Sequence, residues 1–359
     1  MKFLLIAVHG LNAHWPGPYG NEWVNTPQLD ALAVGSFVFD HHFCTRPTPA
    51  GFRESWQTGG RQNLDTLRDL AAKNVHTLFT NHAPDSPTGE WATVIPNQDG
   101  KSLWALARQA AKALADKPDW FACVETAQLL LPWTVDEKRF GKHADLSELE
   151  STDSPLTPWP DPAIGEHKLT DCEWERLRLS FASVMEELDR DMTLIRKSFF
   201  PNEEDDAVIV ITGTHGFPLA EHGHVGPHPA MIFADEVHVP LIVHSAASRH
   251  GPRRCAEFTT ADDLHDGIRQ AFGLGAGPSL LNPVGFTGRP HILAERPTPS
   301  GSAHYFRNRE WSYSLPVGLP FGDGELFSQP DDYWEAMNLA HTQPGPVEDI
   351  ANLFKELEQ

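Results

Sequence analysis

Apolar and polar positions alternate along this chain in two periods. Phe3–Val8 is an unbroken apolar run that stops at His9-Gly10, the pattern of a strand buried on both faces of a parallel sheet. Runs of the same kind recur at Val75–Thr80, Trp120–Glu125, Ala207–Thr212 and Val239–Val243. Between them the spacing turns helical. Thr26–Val34 opens with Pro27 in a first helical turn and carries Leu29, Leu32 and Ala33 on one face. Leu64–Lys73, Lys101–Ala115, Asp171–Phe200 and Leu264–Phe272 are amphipathic at helical spacing.

Strands alternating with helices predict an α/β fold with a mainly parallel central sheet and helices on both faces. Asp136–Thr170, rich in Pro, Asp and Ser, reads as a long surface excursion. From Ile292 strands and turns dominate until a final helix near Val347–Leu357. That predicts an α/β domain over 1–290 and a small C-terminal α+β subdomain over 291–359 packed on it. Ligands of such sheets bind beyond the carboxyl ends of the strands, which here means the segments after Val8, Thr80, Glu125 and Thr212.

Charge narrows the partners. The 359 residues carry a formal net charge of -21, which repels phosphate backbones and anionic lipid. Nucleic acid and membrane surfaces are therefore excluded as expected partners, and a small anion or another protein remains. The one compact basic patch, Arg249, His250, Arg253 and Arg254, reads as a solvated loop. Cys44, Cys123, Cys172 and Cys255 are too scattered for a C-x-x-C site and read as reduced thiols. Lys2 followed by Phe3–Val8 mimics a signal peptide, but the apolar run is brief and no A-x-A site follows, so the expected compartment is the cytoplasm.

Residues 3–60 resemble the start of the sulfatase family of the alkaline phosphatase superfamily. That family opens with an apolar strand, D-D, Y-G and T-P-x-L-D-x-L-A. Here Tyr19-Gly20, Thr26-Pro27, Leu29-Asp30 and Leu32-Ala33 fall in register. An aromatic-rich strand and C/S-x-P-S-R-x-S-x-x-T-G follow in the family. FVFDHHFCTRPTPAGFRESWQTG keeps Arg53, Ser55 and Thr58-Gly59. VIVITGTHGFPLAEHG resembles T-S-D-H-G-E-x-x-x-E-H-G, HVPLIV resembles R-V-P-L-I-I, and GELFSQPDDYWEAMNLA resembles the family's closing segment.

The resemblance implies a formylglycine made from cysteine or serine and a calcium ion held by carboxylates. This chain departs from it at those positions. The paired aspartates fall on His9 and Gly10, the third on Thr214, and the nucleophile on Pro49. The substrate-gripping lysine of G-K-W-H falls on His82, the histidine of P-H-x-P-Y on Leu130, and the lysine after E-H-G on Pro227. Only Arg53 and His215 keep matching chemistry. Thr48-Pro49-Ala50 offers an N-cap hydroxyl and a proline at the first helical position, which preserves a helix start without a nucleophile. Cys44 reads as a buried thiol on the preceding strand. Arg53 either binds an anion or pairs with an acidic neighbour such as Glu54 or Asp40.

The vestigial pocket is thus His9, Gly10, Pro49, Arg53, His82, Thr214 and His215. Calcium is not expected there, nor any other resident cofactor, unless histidine supplies a new one. The chain has 19 histidines, and His9, His82 and His215 stand at strand ends, with His14, His41, His42, His222, His224 and His228 near them in sequence. Imidazole suits zinc or a similar transition metal, and His9 with His215 is the candidate pair. Three functions follow. The foremost is a catalytically silent sulfatase-like protein with a binding or regulatory role. The second is a remodelled sulfate- or phosphate-ester hydrolase, for which Thr45 and Thr48 are the nearby hydroxyls. The third is a transition-metal enzyme built on the histidines.

Overall fold

A computed structural model describes residues 1–82, 87–97, 100–145, 156–201, 207–249, 254–298 and 300–357. In chain order its elements are β1 (Lys2–Gly10), α1 (Pro27–Val34), β2 (Phe37–Phe43), α2 (Pro49–Thr58), α3 (Thr66–Ala72), β3 (His76–Asn81), β4 (Thr93–Pro96), α4 (Leu103–Ala113), β5 (Trp120–Thr126), α5 (Glu137–Asp145), β6 (Gly165–Glu166), α6 (Asp171–Phe199), β7 (Ala207–Gly216) and β8 (His224–Val225). They continue with α7 (Ala234–Val237), β9 (Leu241–His244), β10 (Arg254–Thr260), α8 (Ala261–Ala271), β11 (Ile292–Thr298), β12 (Gly301–Arg307), β13 (Trp311–Leu315), β14 (Glu325–Ser328) and α9 (Pro344–Leu357).

The main sheet runs β10-β2-β9-β7-β1-β5-β3-β4 and is parallel except for β9, which pairs antiparallel with β2 and β7. The expected α/β architecture is present, with β1 at its centre. The alternation hidden inside the apolar run of β1 explains both helical layers. Leu4, Ile6 and Val8 join the core formed with α4 and α6, while Phe3, Leu5 and Ala7 join the core formed with α2, α3 and α8. A second, antiparallel sheet runs β11-β12-β13-β14.

Several boundaries differ from those read in the sequence. The excursion over Asp136–Thr170 holds a helix, α5, and the short strand β6, while residues 146–155 fall outside the described set. The strand expected at Val239–Val243 is Leu241–His244, because Pro240 has no N–H to enter a ladder. Helix α8 starts before Leu264, at Ala261, where the Thr260 N–H donates to the Asp263 carboxylate at 2.8 Å. Of the basic patch, His250 and Arg253 also fall outside the described residues, and Arg254 donates to Asp40 at 2.9 Å from its Nε. Among the described residues no helix is long and apolar enough to cross a membrane.

Candidate functional site

The strands deliver the candidate residues to one end of the sheet, and their pleat decides which face each side chain meets. Ala7 pairs with Glu125 across β1 and β5, on the face covered by α2, and His9 follows Ala7 by two residues onto that face. Beside β1, the register with β7 slips between Val8 and His9: Val8 pairs with Gly213, His9 with His215 and Gly10 with Gly216. Thr214 is the extra residue of this β-bulge, and the bulge turns His215 to the side of His9. The two imidazole centroids are 6.1 Å apart. Bulged out of the ladder, Thr214 is fully buried and its Oγ1 has no hydrogen-bond partner among the described residues.

Helix α2 supplies Arg53. Thr48 caps the helix by accepting the Gly51 N–H at 3.0 Å, and Pro49 occupies the first turn, as the sequence predicts. One turn on, Arg53 points inward with 2% of its surface exposed. Its Nη2 donates to Glu125 Oε2 at 2.6 Å and its Nε to Oε1 at 2.9 Å. Glu125 also meets His9 Nε2 at 3.1 Å and is completely buried. Pairing of Arg53 with Glu54 or Asp40 is therefore corrected: Glu54 lies on the exposed side of α2 with Arg46 at 2.9 Å, and Asp40 pairs with Arg254.

His215 is held neutral. Burial, and then the neighbouring His9, push it down to about 4, and its Nδ1–H donates to the Gly216 carbonyl at 2.9 Å. Cys123, buried on β5 beside Glu125, has its thiol pushed well up by burial and by that carboxylate, so it stays protonated. Cys44 lies just past the end of β2, is buried, and is pushed up to about 12 by burial. It behaves as the inert thiol expected of it.

Two positions are closed to the chemistry that the sequence motifs place there. Gly10 has a φ of +86°, and a Cβ built on it would lie 2.9 Å from Leu130 Cδ2 and 3.3 Å from Leu129 Cβ. The positive φ favours glycine at position 10, and any side chain there would have to displace Leu130. Its loop is braced by Leu130 N–H to Ala127 O at 2.9 Å and by Trp133 Nε1–H to Leu129 O at 3.0 Å. Pro49 is half-buried and has no nucleophilic atom.

His82 does not join the pair. Leu78 of β3 packs on the α4 face, and continued alternation carries His82 to that face, opposite His9. Only its backbone reaches the site, donating to the Glu125 carbonyl at 2.9 Å. Its ring lines a separate cavity of about 510 Å³ with Ser102, Gln128, Asp136 and Asp191. Among the described residues no three His, Cys, Asp or Glu side chains gather as a metal site.

Calcium does not fit this donor set. It requires several hard oxygens, whereas both Glu125 oxygens are engaged by Arg53 and His9, and Leu130 packs against Gly10. Zinc on His9 and His215 would need a third ligand; the carboxylate beside His9, Glu125, is held by Arg53, and among the described residues no group of three potential ligands forms there. The hydroxyls considered as replacement nucleophiles, Thr45 and Thr48, line a different cavity of about 920 Å³ between α2 and the second sheet, and the Thr48 hydroxyl is already committed to its cap.

No protein-family model matches the sequence, and no curated protein does. Solved structures do match in three dimensions. A phosphonate monoester hydrolase of Agrobacterium radiobacter superposes over 99% of this chain and 95% of its own, with a TM-score of 0.72 and 16% identity. A protein solved with its substrate D-glucosamine-2-N,6-O-disulfate superposes over 99% and 97%, with a TM-score of 0.76 and 13% identity. A 2-O GAG sulfatase does so over 99% and 91%, with a TM-score of 0.71 and 13% identity. The chain thus has the fold shared by the sulfatases and phosphonate monoester hydrolases, the fold of the alkaline phosphatase superfamily.

Proposed function

We propose that this protein is a catalytically silent sulfatase-fold protein that acts by binding. The observation that carries the reading is the closure of the old reaction centre. Arg53, a cation there that could grip a sulfate or phosphate group, is held by Glu125, and Leu130 packs against Gly10. Arg53, Glu125, His9 and Thr214 are each at most 2% exposed. A substrate would have to displace a buried ion pair, which costs several kcal/mol before any chemistry begins (about 3–5 by one-sided removal).

The test is hydrolysis of aryl sulfate, aryl phosphate and phosphonate monoester by the purified full chain, with and without added calcium or zinc. No turnover above buffer is expected, and none is expected from Pro49→Cys. Turnover that copurifies with the chain and disappears in Arg53→Met would overturn the reading.

A further inference from the structure

An aromatic-walled cavity of about 560 Å³ lies away from the closed centre. Its walls come from four parts of the chain: Trp15 and Trp23 after β1, Trp174 and Arg178 on α6, Glu221 after β7, and Tyr333 and Trp334 after β14. A concavity of this size is in the range of small-molecule sites, about 300–1,000 Å³. Trp23, Trp174, Tyr333 and Trp334 are 38%, 37%, 38% and 54% exposed. Large aromatic side chains clustered in the open in this way signal a binding surface.

The rings pack in two groups. Trp15 and Trp23 have centroids 5.5 Å apart, Tyr333 and Trp334 5.3 Å, and His14 lies 4.7 Å from each of the latter two. Arg178 sits among them with its guanidinium carbon 4.6 Å from the Trp23 ring centre and 4.3 Å from that of Trp174. Stacking of this kind holds a guanidinium in place while leaving its N–H groups for a ligand. Arg178 forms an i,i+3 ion pair with Glu175 at 3.5 Å, longer than the roughly 2.7–2.9 Å of a charge-assisted hydrogen bond, and Glu221 also acts on it. In the walls, Trp15 Nε1 and both ring nitrogens of His14 are buried without a partner among the described residues.

We propose that this cavity binds a planar aromatic carboxylate, with the carboxylate on the Arg178 guanidinium and the ring against the surrounding indole and phenol faces. The charge already in the site selects the class. A cationic ligand would meet Arg178 on the two indole faces it needs, whereas a carboxylate adds a second partner to a guanidinium that Glu175 meets at 3.5 Å. A planar guanidinium and a carboxylate match in geometry as well as charge. Glu22 and Glu221 also line the cavity; burial raises the Glu221 carboxyl, and Arg178 pulls it back down. The net charge of -21 slows the approach of any anion, but at physiological ionic strength that field is screened over about 8 Å. The proposal is independent of the closed centre and would stand if that centre proved active.

The test is titration of the full chain with 2-naphthoate, 2-naphthamide and 2-naphthylmethylammonium, followed by calorimetry and by the shift in melting temperature. Saturable binding of naphthoate is expected, about tenfold or more tighter than that of the amide, since hydrogen bonds to a charged group account for at least that factor. Arg178→Met should weaken naphthoate by the same factor and leave the amide unchanged. Trp334→Ala, at an exposed position, should weaken both. Equal affinity for naphthoate and amide, preference for the ammonium, or no saturable naphthoate binding by about 1 mM would each overturn the proposal. If Arg178→Met fails to fold, the naphthoate-to-amide ratio in the unaltered protein decides the question alone.

Discussion

The buried trio of Arg53, Glu125 and His9 shows how one side chain fixes the character of a whole site. Two N–H groups of Arg53 and one imidazole nitrogen converge on a carboxylate with no access to water. In such a pair, removing one partner strands the other charge, while replacing both with apolar groups removes two desolvation penalties at once. Glu125→Gln should therefore cost about 3–5 kcal/mol of unfolding free energy. The double variant Arg53→Met/Glu125→Leu should recover most of that loss. Urea unfolding of the two variants beside the parent checks this, and a cost under about 1 kcal/mol for Glu125→Gln would mean that the ion pair is not what closes the site. Arg53 is legible in the sequence through its motif, but its partner is not. Glu125 ends an apolar strand run, and an acid at such a place calls for a buried counter-charge. Which of the chain's cations supplies it depends on how α2 crosses the sheet, and local spacing carries no record of that. The same holds for Leu130, whose packing against Gly10 arises between the end of β1 and a loop far along the chain.

Elements with a strong local period are those the sequence reveals best. Helix α6, Asp171–Phe199, follows from its apolar spacing, and the structure adds a Thr170–Glu173 capping box in which the Thr170 N–H meets the Glu173 carboxylate at 2.9 Å. The strands of the sheet centre follow from unbroken apolar runs. What escapes is the periphery. β10 buries only its last three residues, and its first four alternate between exposed and half-buried, so its composition reads as loop. α5 carries a single buried residue, Phe140, in a polar segment. The β7 bulge is invisible too, although two glycines mark its tight packing. A Cβ on Gly216 would lie 1.9 Å from the Asp235 carbonyl oxygen and 2.8 Å from Asn12 Cβ. Since neither backbone can give way easily, Gly216→Ala should cost about 3 kcal/mol or more, the upper end of overpacking. Gly141, inside α5, meets nothing within 4 Å, and Gly141→Ala should instead gain about 0.5–1 kcal/mol from helix propensity. Urea midpoints of the pair, read against the parent, test whether close approach or chain flexibility is what each glycine provides.

At the scale of the whole molecule, the second sheet is bound to the first through a shared core and not through a mere surface contact. Phe43, Ile232, Val237 and Phe258 of the larger unit form one apolar cluster with Ile292, Ala294, Ala303 and Tyr305. Backbone bonds cross at Glu295 N–H to Thr45 O and Val317 N–H to Ala230 O, both 2.9 Å. Buried polar groups cross as well. Glu335 accepts from the Ala234 N–H and from the Tyr305 hydroxyl, each at 2.7 Å, and Arg296 lies 2.7 Å from Glu236, whose side chain is 2% exposed. A chain cut after residue 290 would expose the first four of those apolar side chains and leave Glu236 without its cation. Burial already raises Glu236 to about 7 with Arg296 present, so loss of that partner removes the chief influence lowering it. Both effects work against an independently stable 1–290 unit. The full chain should accordingly melt in one cooperative transition, and the 1–290 fragment should bind a hydrophobic dye and show no cooperative melt of its own. Calorimetry on the two proteins decides between a shared core and two separable domains. A fragment that melts cooperatively within a few degrees of the full chain would place the stability of the fold in the large sheet alone, and the second sheet would then be an attachment and not a part of the core.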